Sequence, residues 1–325
     1  MQQSPVIWSV AGTDSGGGAG LSADQRAADA LEVHLCPVVA AVTAQNSVSV
    51  TRVEALPVDL LEAQFAALAA DLPPQALKTG LLGGVEQVRC VARWVDRLRE
   101  RAPLALVVDP VLGASTGASF ADAAVLDAYR AWLLPRATLI TPNRREAERL
   151  LGPMASGLDV PAQAQALRGL GAQSVCITGG DHAGDGARAI DWLATPHACG
   201  WLAGERVDTP HQHGTGCTFA TAAAAAMARG FVTADALVLA KMATEHALRR
   251  GRAAGRGAGP VRAAPGCAAQ TEVPLLSWGA EPVFCTVPDR RDTPPLGLYA
   301  IADSSAQLRA ALAAGVRTLQ LRIKA

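Results

Sequence analysis

A glycine-rich turn before an alanine-rich run is the segment of this chain best suited to chemistry. Gly214-Thr215-Gly216-Cys217 precedes residues 219–229, which contain no Pro or Gly, so the pattern predicts a turn that opens a helix. Unpaired N–H groups and the helix dipole bind anions there, and the same field is expected to lower the pKa of the Cys217 thiol. An anion site beside a potential base suits phosphoryl transfer. The alternative is an ordinary glycine-led helix with a buried cysteine.

Other glycine and polar clusters follow short apolar runs. They lie at residues 12–20, 45–46, 109, 143 and 178–180. Ligands of α/β sheets bind beyond the carboxyl ends of strands, so these clusters are expected to share one edge. Residues 12–20 do not form a P-loop, because Gly18 stands where Lys is required, and a dinucleotide fingerprint that starts at Gly16 meets Leu21 at its third glycine. P-loop enzymes and dinucleotide dehydrogenases are therefore not favoured.

Alternating apolar runs and amphipathic patterns predict the elements that carry these clusters. Strands are predicted at residues 6–11, 37–42, 76–79, 104–108, 137–140 and 174–178, and helices at 19–31, 58–72, 88–98, 125–133 and 234–250. This alternation predicts an α/β fold with a mainly parallel central sheet and helices on both faces. Residues 251–266 and 281–297 are rich in Gly, Pro and charge, as linkers are.

The composition of the 325-residue chain excludes several classes of protein. Lys plus Arg and Asp plus Glu are equal at 29 each, and aromatic residues make up 4%, which argues against a nucleic acid or an anionic membrane as partner. Seven cysteines without a C-x-x-C pair indicate reduced thiols and a cytoplasmic protein. The N-terminus lacks a basic signal-peptide region, and no apolar run is suited to spanning a membrane. A homodimer is compatible with these features.

The clusters resemble, in order, spacing and residue type, the hydroxymethylpyrimidine and phosphomethylpyrimidine kinases of thiamine biosynthesis, which belong to the ribokinase-like superfamily. The matching segments are residues 11–21, 23–24, 43–46, 78–82, 109–111, 141–147, 178–180 and 214–217. The resemblance spans residues 6–262. It implies that ATP, with Mg²⁺, phosphorylates the hydroxymethyl group of 4-amino-5-hydroxymethyl-2-methylpyrimidine and then converts the monophosphate to the diphosphate.

The resemblance also implies a role for each matched residue. It makes Cys217 the catalytic base, with Gly214, Thr215 and Gly216 as the anion site around the transferred phosphoryl group. The implied substrate-binding residues are Gly12, Asp24, Gln45, Leu81 and Val111, and the implied nucleotide-binding residues are Asp109, Asn143, Thr178 and Gly180. Many relatives carry Lys at the position of Thr178 and in the loop at residues 112–117. Fewer positively charged side chains are therefore expected around the nucleotide phosphates in this chain.

Three of these assignments have plainer alternatives. Asn143 and Glu146 are implied to organise Mg²⁺, but Asn followed three residues later by Glu is also a helix capping box. Gln45 can donate to and accept from an aminopyrimidine edge, or it can be a polar loop residue. Asp24 can orient the substrate or can be a solvated helix charge. His211 and His213 with Cys217 are too few ligands for a zinc site.

The end of the chain carries a second resemblance. Residues 297–303 and 315–324, including Gln320, Arg322 and Lys324, resemble the first β-α-β unit of thiamine phosphate synthase, a TIM-barrel enzyme. A barrel needs roughly 200 residues or more, so this segment is only a fragment of one. The predicted organisation is a kinase domain at residues 1–265, a linker at 266–296 and a partial synthase at 297–325.

Two other functions stay open at this point. A pyridoxal or pyridoxine kinase would share the fold, and a pyridine ring could occupy the same slot. A non-catalytic pyrimidine sensor would retain the fold without turnover, although the intact turn at residues 214–217 and the Asn143–Glu146 pair speak against it.

Overall fold

The structure is a computed structural model that describes residues 4–113, 120–180, 186–267, 273–279, 281–282, 284, 299–316 and 318–321. The strands are β1 Val6–Asp14, β2 His34–Gln45, β3 Val50–Ala55, β4 Ala76–Thr79, β5 Ala105–Val108, β6 Leu139–Ile140, β7 Val175–Ile177, β8 Arg188–Ala194, β9 Cys199–Glu205, β10 Leu275–Ser277, β11 Tyr299–Ala302 and β12 Thr318–Leu321. The helices are α1 Gly20–Ala30, α2 Val58–Asp71, α3 Val85–Arg99, α4 Ala123–Ala128, α5 Arg144–Leu151, α6 Val160–Gly169, α7 Thr215–Ala228, α8 Thr233–Arg249 and α9 Ser305–Ala313.

A ten-stranded sheet in the order β10-β9-β8-β7-β6-β5-β4-β1-β2-β3 forms the centre of the fold. Strands β2, β1, β4, β5, β6 and β7 are mutually parallel, as predicted. The sequence did not predict β3 at one margin or β8, β9 and β10 at the other, and these strands pair antiparallel. The parallel strands end at one edge of the sheet, which gathers the polar clusters there.

Helix α7 is buried along most of its length between the sheet and two other helices. Residues 218–226 are all buried, and α7 packs against α1, α8 and strands β1, β4 and β5. Ala fills six of those nine positions, 220 and 222–226. Because Ala has the highest helix propensity and the smallest side chain with a Cβ, α7 forms readily and approaches its neighbours closely. Helices α2, α3 and α4 pack against one another in succession.

The predicted helix at residues 125–133 changes its geometry along its length. It is α-helical over Ala123–Ala128, then forms a π-helical turn over Tyr129–Leu133 and a 3₁₀ turn over Leu134–Arg136. Pro135 lacks an N–H group, so the α-helical ladder cannot continue through it. The wide turn places Tyr129 in the core, where its hydroxyl donates to the carbonyl oxygen of Gly80 at 3.4 Å.

The first compact unit extends further than the predicted kinase domain. The chain divides into a unit of residues 1–282 and a unit of residues 283–325. Strand β10 pairs with β9, and Cys267 is 4% exposed within the main hydrophobic core, so Cys267 and β10 belong to the first unit, while the linker at residues 266–296 stays a prediction. Most of residues 283–298, together with Arg322 and Lys324, lie outside the described residues.

The second unit contains the predicted strand–helix–strand. Strands β11 and β12 pair in parallel, and α9 lies between them in sequence. Ser304 caps α9 by accepting a hydrogen bond from the Gln307 N–H.

Nothing in the described part of the chain is both helical and apolar over a membrane-spanning length.

Two truncations test this boundary. A chain that ends at Pro282 should unfold at the same temperature as the full chain, because it keeps the whole ten-stranded sheet. A chain that ends at Gly266 loses β10 and the buried Cys267, which should lower the free energy of unfolding by about 1–3 kcal/mol. Thermal unfolding followed by circular dichroism measures both. Equal unfolding temperatures for the two truncated chains would place the boundary back at residue 265.

Candidate active site

The turn at residues 214–217 forms the N-terminus of α7, as the sequence predicts. Gly214 is the N-cap residue and has φ +86°, a left-handed conformation. A Cβ on Gly214 would overlap the carbonyl oxygen of Gly18, so only glycine lets the two glycine segments meet here. Thr215 Oγ1 donates to the carbonyl oxygen of Gln212 at 2.6 Å. The N–H groups of the first turn are thereby held at the carboxyl edge of the sheet.

Cys217 lies between the N-termini of two helices. It occupies the first turn of α7, and its sulfur also accepts a hydrogen bond from the N–H of Gly20 at the start of α1. Burial raises the pKa of Cys217 to about 12; Lys78 and the Gly20 N–H oppose the shift, and Asp24 and Asp109 add to it. The expected lowering of this pKa is therefore wrong, because desolvation and two carboxylates outweigh the helix dipole.

A fully buried ion pair lies close to the turn at residues 214–217. Lys78 Nζ is 3.0 Å from Asp24 Oδ1, and neither side chain is exposed to solvent. Ser9 Oγ donates to Asp24 Oδ2 at 2.6 Å, and Thr221 Oγ1 donates to Asp24 Oδ1 at 2.8 Å. The interpretation of Asp24 as a solvated charge is wrong. Its oxygens are occupied by protein donors, so Asp24 positions α7 and Lys78.

Asp109 extends this charged cluster toward the strand ends. Its Oδ2 is 3.5 Å from Lys78 Nζ, and no hydrogen bond of normal geometry reaches that oxygen from the described residues. Burial raises the pKa of Asp109 to about 6, although Lys78 opposes the shift. The hydroxyls of Thr79 and Thr141, at the ends of the strands on either side, are likewise buried without a hydrogen bond from the described chain. Buried oxygens left in this state indicate a place for a bound group.

Asp14 fixes the glycine loop at residues 15–19, which precedes α1. Its carboxylate accepts from the N–H groups of Gly16, Gly18 and Ala19 at 2.8–2.9 Å, and His213 Nε2 lies 2.9 Å from Asp14 Oδ2. Burial alone would raise the pKa of Asp14, but these hydrogen bonds lower it. The sequence offers His213 only as a possible metal ligand, because nothing in it pairs positions 14 and 213.

Gln45 lies at the end of β2 beside this pair. Its N–H donates to Ser15 Oγ at 2.8 Å, and its side-chain Nε2 is 3.3 Å from His213 Nε2. The Leu81 side chain fills the space above Gly12, where a Cβ would lie 3.1 Å from Leu81 Cδ2. The structure therefore gathers the predicted substrate residues of β1, β2 and β4 at one edge. Val111 lies on the next strand end, where its N–H donates to the Asp109 carbonyl at 2.9 Å.

The predicted nucleotide-binding residues lie on the following strand ends. Asn143 and Thr178 form a parallel bridge between the segments after β6 and β7. Asp191 supports this loop by accepting from the Gly179 N–H at 2.9 Å and from Lys241 Nζ at 2.7 Å. A Cβ on Gly179 would lie 3.0 Å from Arg144 Nη2. A guanidinium therefore stands near the loop that carries Thr178, a contact that the sequence pattern did not predict.

Asn143 and Glu146 form the complete capping box of α5. Glu146 N–H donates to Asn143 Oδ1 at 2.9 Å, and Asn143 N–H donates to Glu146 Oε2 at 3.0 Å. The plainer alternative is thus present, and it leaves a role for Glu146 toward a cation untested. Across the residues that the structure describes, no three His, Cys, Asp or Glu side chains converge as a metal site.

The order of the strands, the turn at residues 214–217 (the anion turn) and the charged cluster of Lys78, Asp24 and Asp109 are together typical of a ribokinase-like small-molecule kinase. The family model for phosphomethylpyrimidine kinase matches residues 14–262. The chain therefore belongs to the phosphomethylpyrimidine kinase family, which supports a kinase over a non-catalytic sensor.

Three relatives show the extent of the similarity. A hydroxymethylpyrimidine/phosphomethylpyrimidine kinase of Synechococcus elongatus is 42% identical over 260 residues, covering 79% of this chain and 96% of its own. A probable thiamine biosynthetic bifunctional enzyme of Oryza sativa is 32% identical and covers 98% of this chain and 58% of its own. A pyridoxal kinase of Staphylococcus aureus, solved with AMP-PCP and pyridoxal, superimposes with a TM-score of 0.72 at 28% identity, covering 85% of this chain and 98% of its own. ATP is the co-substrate that this kinase family implies.

The protonation of Cys217 can be tested by alkylation of the ligand-free protein. With a pKa of about 12, its thiolate fraction at about pH 8 is on the order of 10⁻⁴. Iodoacetamide should therefore modify Cys217 at least about 10²-fold more slowly than the exposed Cys199. Peptide mass spectrometry over time measures both sites in one sample. Faster modification of Cys217 than of Cys199 would show that the helix dipole dominates after all.

Proposed function

We propose that this protein transfers the γ-phosphoryl group of ATP to 4-amino-5-hydroxymethyl-2-methylpyrimidine, and then converts the monophosphate to the diphosphate, in thiamine diphosphate biosynthesis. The observation that carries the proposal is one juxtaposition: His213, next to the anion turn, lies 3.3 Å from the Gln45 amide. A ring recognised by Gln45 would have its substituent beside the N–H groups of Gly214–Cys217. The name of the Synechococcus elongatus relative supports this substrate.

The anion turn would stabilise the transferring phosphoryl group. Phosphoryl transfer depends mainly on positioning and on electrostatic stabilisation of the equatorial oxygens. The Thr215 N–H donates to the Gln212 carbonyl oxygen at 3.3 Å. The N–H groups of Gly214, Gly216 and Cys217 are preorganised by the Gly214–Gly18 contact and by Thr221, one turn along α7, which is held by Asp24. They therefore require little reorganisation as charge develops.

Cys217 is proposed as the group against the reacting hydroxyl. Its thiol carries a proton before substrates bind, so to accept the proton of the hydroxyl it must first release its own proton to solvent. Asp109 is the second candidate for this proton, because its pKa of about 6 leaves it largely ionised at neutral pH and its Oδ2 is unsatisfied. A general base of this kind contributes about 10²–10⁴-fold to the rate.

The oxygens at the strand ends fit a magnesium ion that keeps much of its water. Asp109 Oδ2, which lies 3.5 Å from Lys78 Nζ, and the Thr141 hydroxyl are hard oxygens that have no hydrogen-bond partner among the described residues, and Glu146 and Asn143 begin the adjacent helix. We propose that Asp109 and Glu146 hold the ion, with the capping box fixing Glu146. Bound Mg²⁺ supplies neutralisation of the phosphate charge.

Residues 178–180 and Arg144 are proposed to hold the nucleotide phosphates. Two hydrogen bonds fix this loop. Asp191 accepts one from the Gly179 N–H, and Arg206 Nη1 donates the other to the Gly180 carbonyl oxygen at 2.9 Å. The Thr178 hydroxyl can donate a hydrogen bond to phosphate. The Arg144 guanidinium would supply charge that the threonine lacks.

The second unit is proposed to be the beginning of a thiamine phosphate synthase domain. The Oryza sativa bifunctional relative aligns with 98% of this chain, and the parallel β11–α9–β12 unit has the connection expected at the start of a TIM barrel. The kinase would end near Pro282.

The described cysteines are free thiols, which supports a cytoplasmic location.

Product analysis tests the proposed activity. The full chain, with Mg-ATP and either the hydroxymethylpyrimidine or pyridoxal, should yield pyrimidine mono- and diphosphate by mass spectrometry. Cys217→Ala should lower kcat about 10²-fold or more while substrate binding is kept. Pyridoxal phosphate as the main product would show that the substrate assignment is wrong. Near-normal kcat for Cys217→Ala, with loss in Asp109→Asn, would move the base to Asp109.

Gln45→Met tests recognition of the ring. The substitution leaves polar ring atoms unpaired, which costs roughly 1–3 kcal/mol, so KM for the pyrimidine should rise about 5–100-fold while KM for ATP stays within about twofold. Gln25→Met, on α1 where the amide bonds only Asp29 in the described structure, is the matched control. Equal rises in both KM values would make Gln45 a structural loop residue.

A further inference from the structure

A glycine-rich strap, residues 251–261, joins the end of α8 to the substrate side of the site. Its composition resembles a linker, yet it is bonded at several points. Gly257 N–H donates to Ser47 Oγ at 3.1 Å, and Gly259 N–H donates to His211 Nδ1 at 3.2 Å. His213 N–H donates to the Gly259 carbonyl at 3.1 Å, and Val261 N–H donates to the His213 carbonyl at 3.0 Å. The strap is thus a fixed part of the kinase unit.

Glycine is required where the strap contacts the loop after Gln45. A Cβ on Gly257 would overlap the carbonyl oxygen of Ser47, and Gly255 has φ +113° and faces Ser47 Oγ. A Cβ on Gly259 would overlap the Arg252 carbonyl oxygen, which closes the strap on itself. The contact is therefore backbone against backbone, closer than any side chain would permit.

The strap connects two pieces that no strand pairing joins. One is the loop that begins at Gln45. The other is His213, whose Nε2 lies 3.3 Å from Gln45 Nε2 and 2.9 Å from Asp14 Oδ2. Because the strap bonds Ser47 and the backbone of His213 together, it sets the distance between the ring-recognising amide and the anion turn.

We propose that this strap is a specificity-determining element, which holds the Gln45 amide beside His213 and so keeps the group that recognises the aminopyrimidine ring next to the turn at residues 214–217. The inference rests on the proposed function, since it takes Gln45 as the residue that recognises the ring. The strap's described hydrogen bonds and close glycine contacts, set out above, do not reach Asn143, Thr178 or Asp191. Its loss should therefore affect the ring and not the nucleotide.

Gly257→Ala in the full chain tests the strap. The added methyl group must push the Ser47 loop away, and a displacement of this size near a reacting centre changes rates and affinities by one to two orders of magnitude. KM for the pyrimidine should rise about 10-fold or more, while KM for ATP stays within about twofold. Gly169→Ala is the matched control, because Gly169 ends α6 with open space around its Cβ position, and it should leave both constants unchanged.

Ser47→Ala is the second variant, for the case in which Gly257→Ala does not fold. It removes one hydrogen bond without adding volume and should raise the same KM about threefold. Unchanged ring KM in both variants, or equal rises for ring and ATP, would overturn the proposal. If the wild-type protein phosphorylates pyridoxal and not the pyrimidine, the proposed function is wrong, and the same variants then test the strap through the KM for pyridoxal.

Discussion

The Lys78 ammonium and the Asp24 carboxylate lie 3.0 Å apart with no solvent access to either. An isolated charge at that depth would be strongly unfavourable, and removal of one partner of such a pair typically costs about 3–5 kcal/mol. Burial alone would lower the pKa of Lys78, but Asp24 and Asp109 hold it above its usual range. Lys78 therefore stays protonated, and strands β1 and β4 and helices α1 and α7 must all be arranged around the pair.

The arrangement of the site follows from that requirement. Thr221 ties α7 to Asp24, so the anion turn cannot move without breaking a buried hydrogen bond. Asp109 faces the remaining side of Lys78, which places a carboxylate between the anion turn and the strand ends of β5 and β6. The buried ammonium of Lys78 therefore contacts groups on both sides of the site, the side proposed for the acceptor hydroxyl and the side proposed for the nucleotide phosphates.

The sequence predicted the parallel part of the fold because those strands are short apolar runs separated by helices of strong periodicity. It missed β3, β8, β9 and β10, since these strands pair antiparallel and need no crossover helix, so no helical pattern marks them off. Among site residues, Gly214 and Cys217 stand out locally. The Lys78–Asp24 pair and the Asp14–His213 contact join positions 54 and 199 residues apart, and a single sequence carries no signal for such pairing. The prediction of a lowered pKa for Cys217 was wrong for the same reason, because the charged neighbours of this thiol come from distant segments of the chain.

The alanine content of α7 has a consequence for how the anion turn is held. Alanine has no rotamers, so burying residues 220 and 222–226 restricts no side-chain torsions, whereas long side chains would lose up to about 2 kcal/mol each in conformational entropy. Apart from Phe219, the buried part of the helix has no large side chains that could repack to absorb a disturbance. Its position is set by contact between main chains and methyl groups, so the turn at its tip is expected to keep one geometry across the working temperature range instead of sampling several.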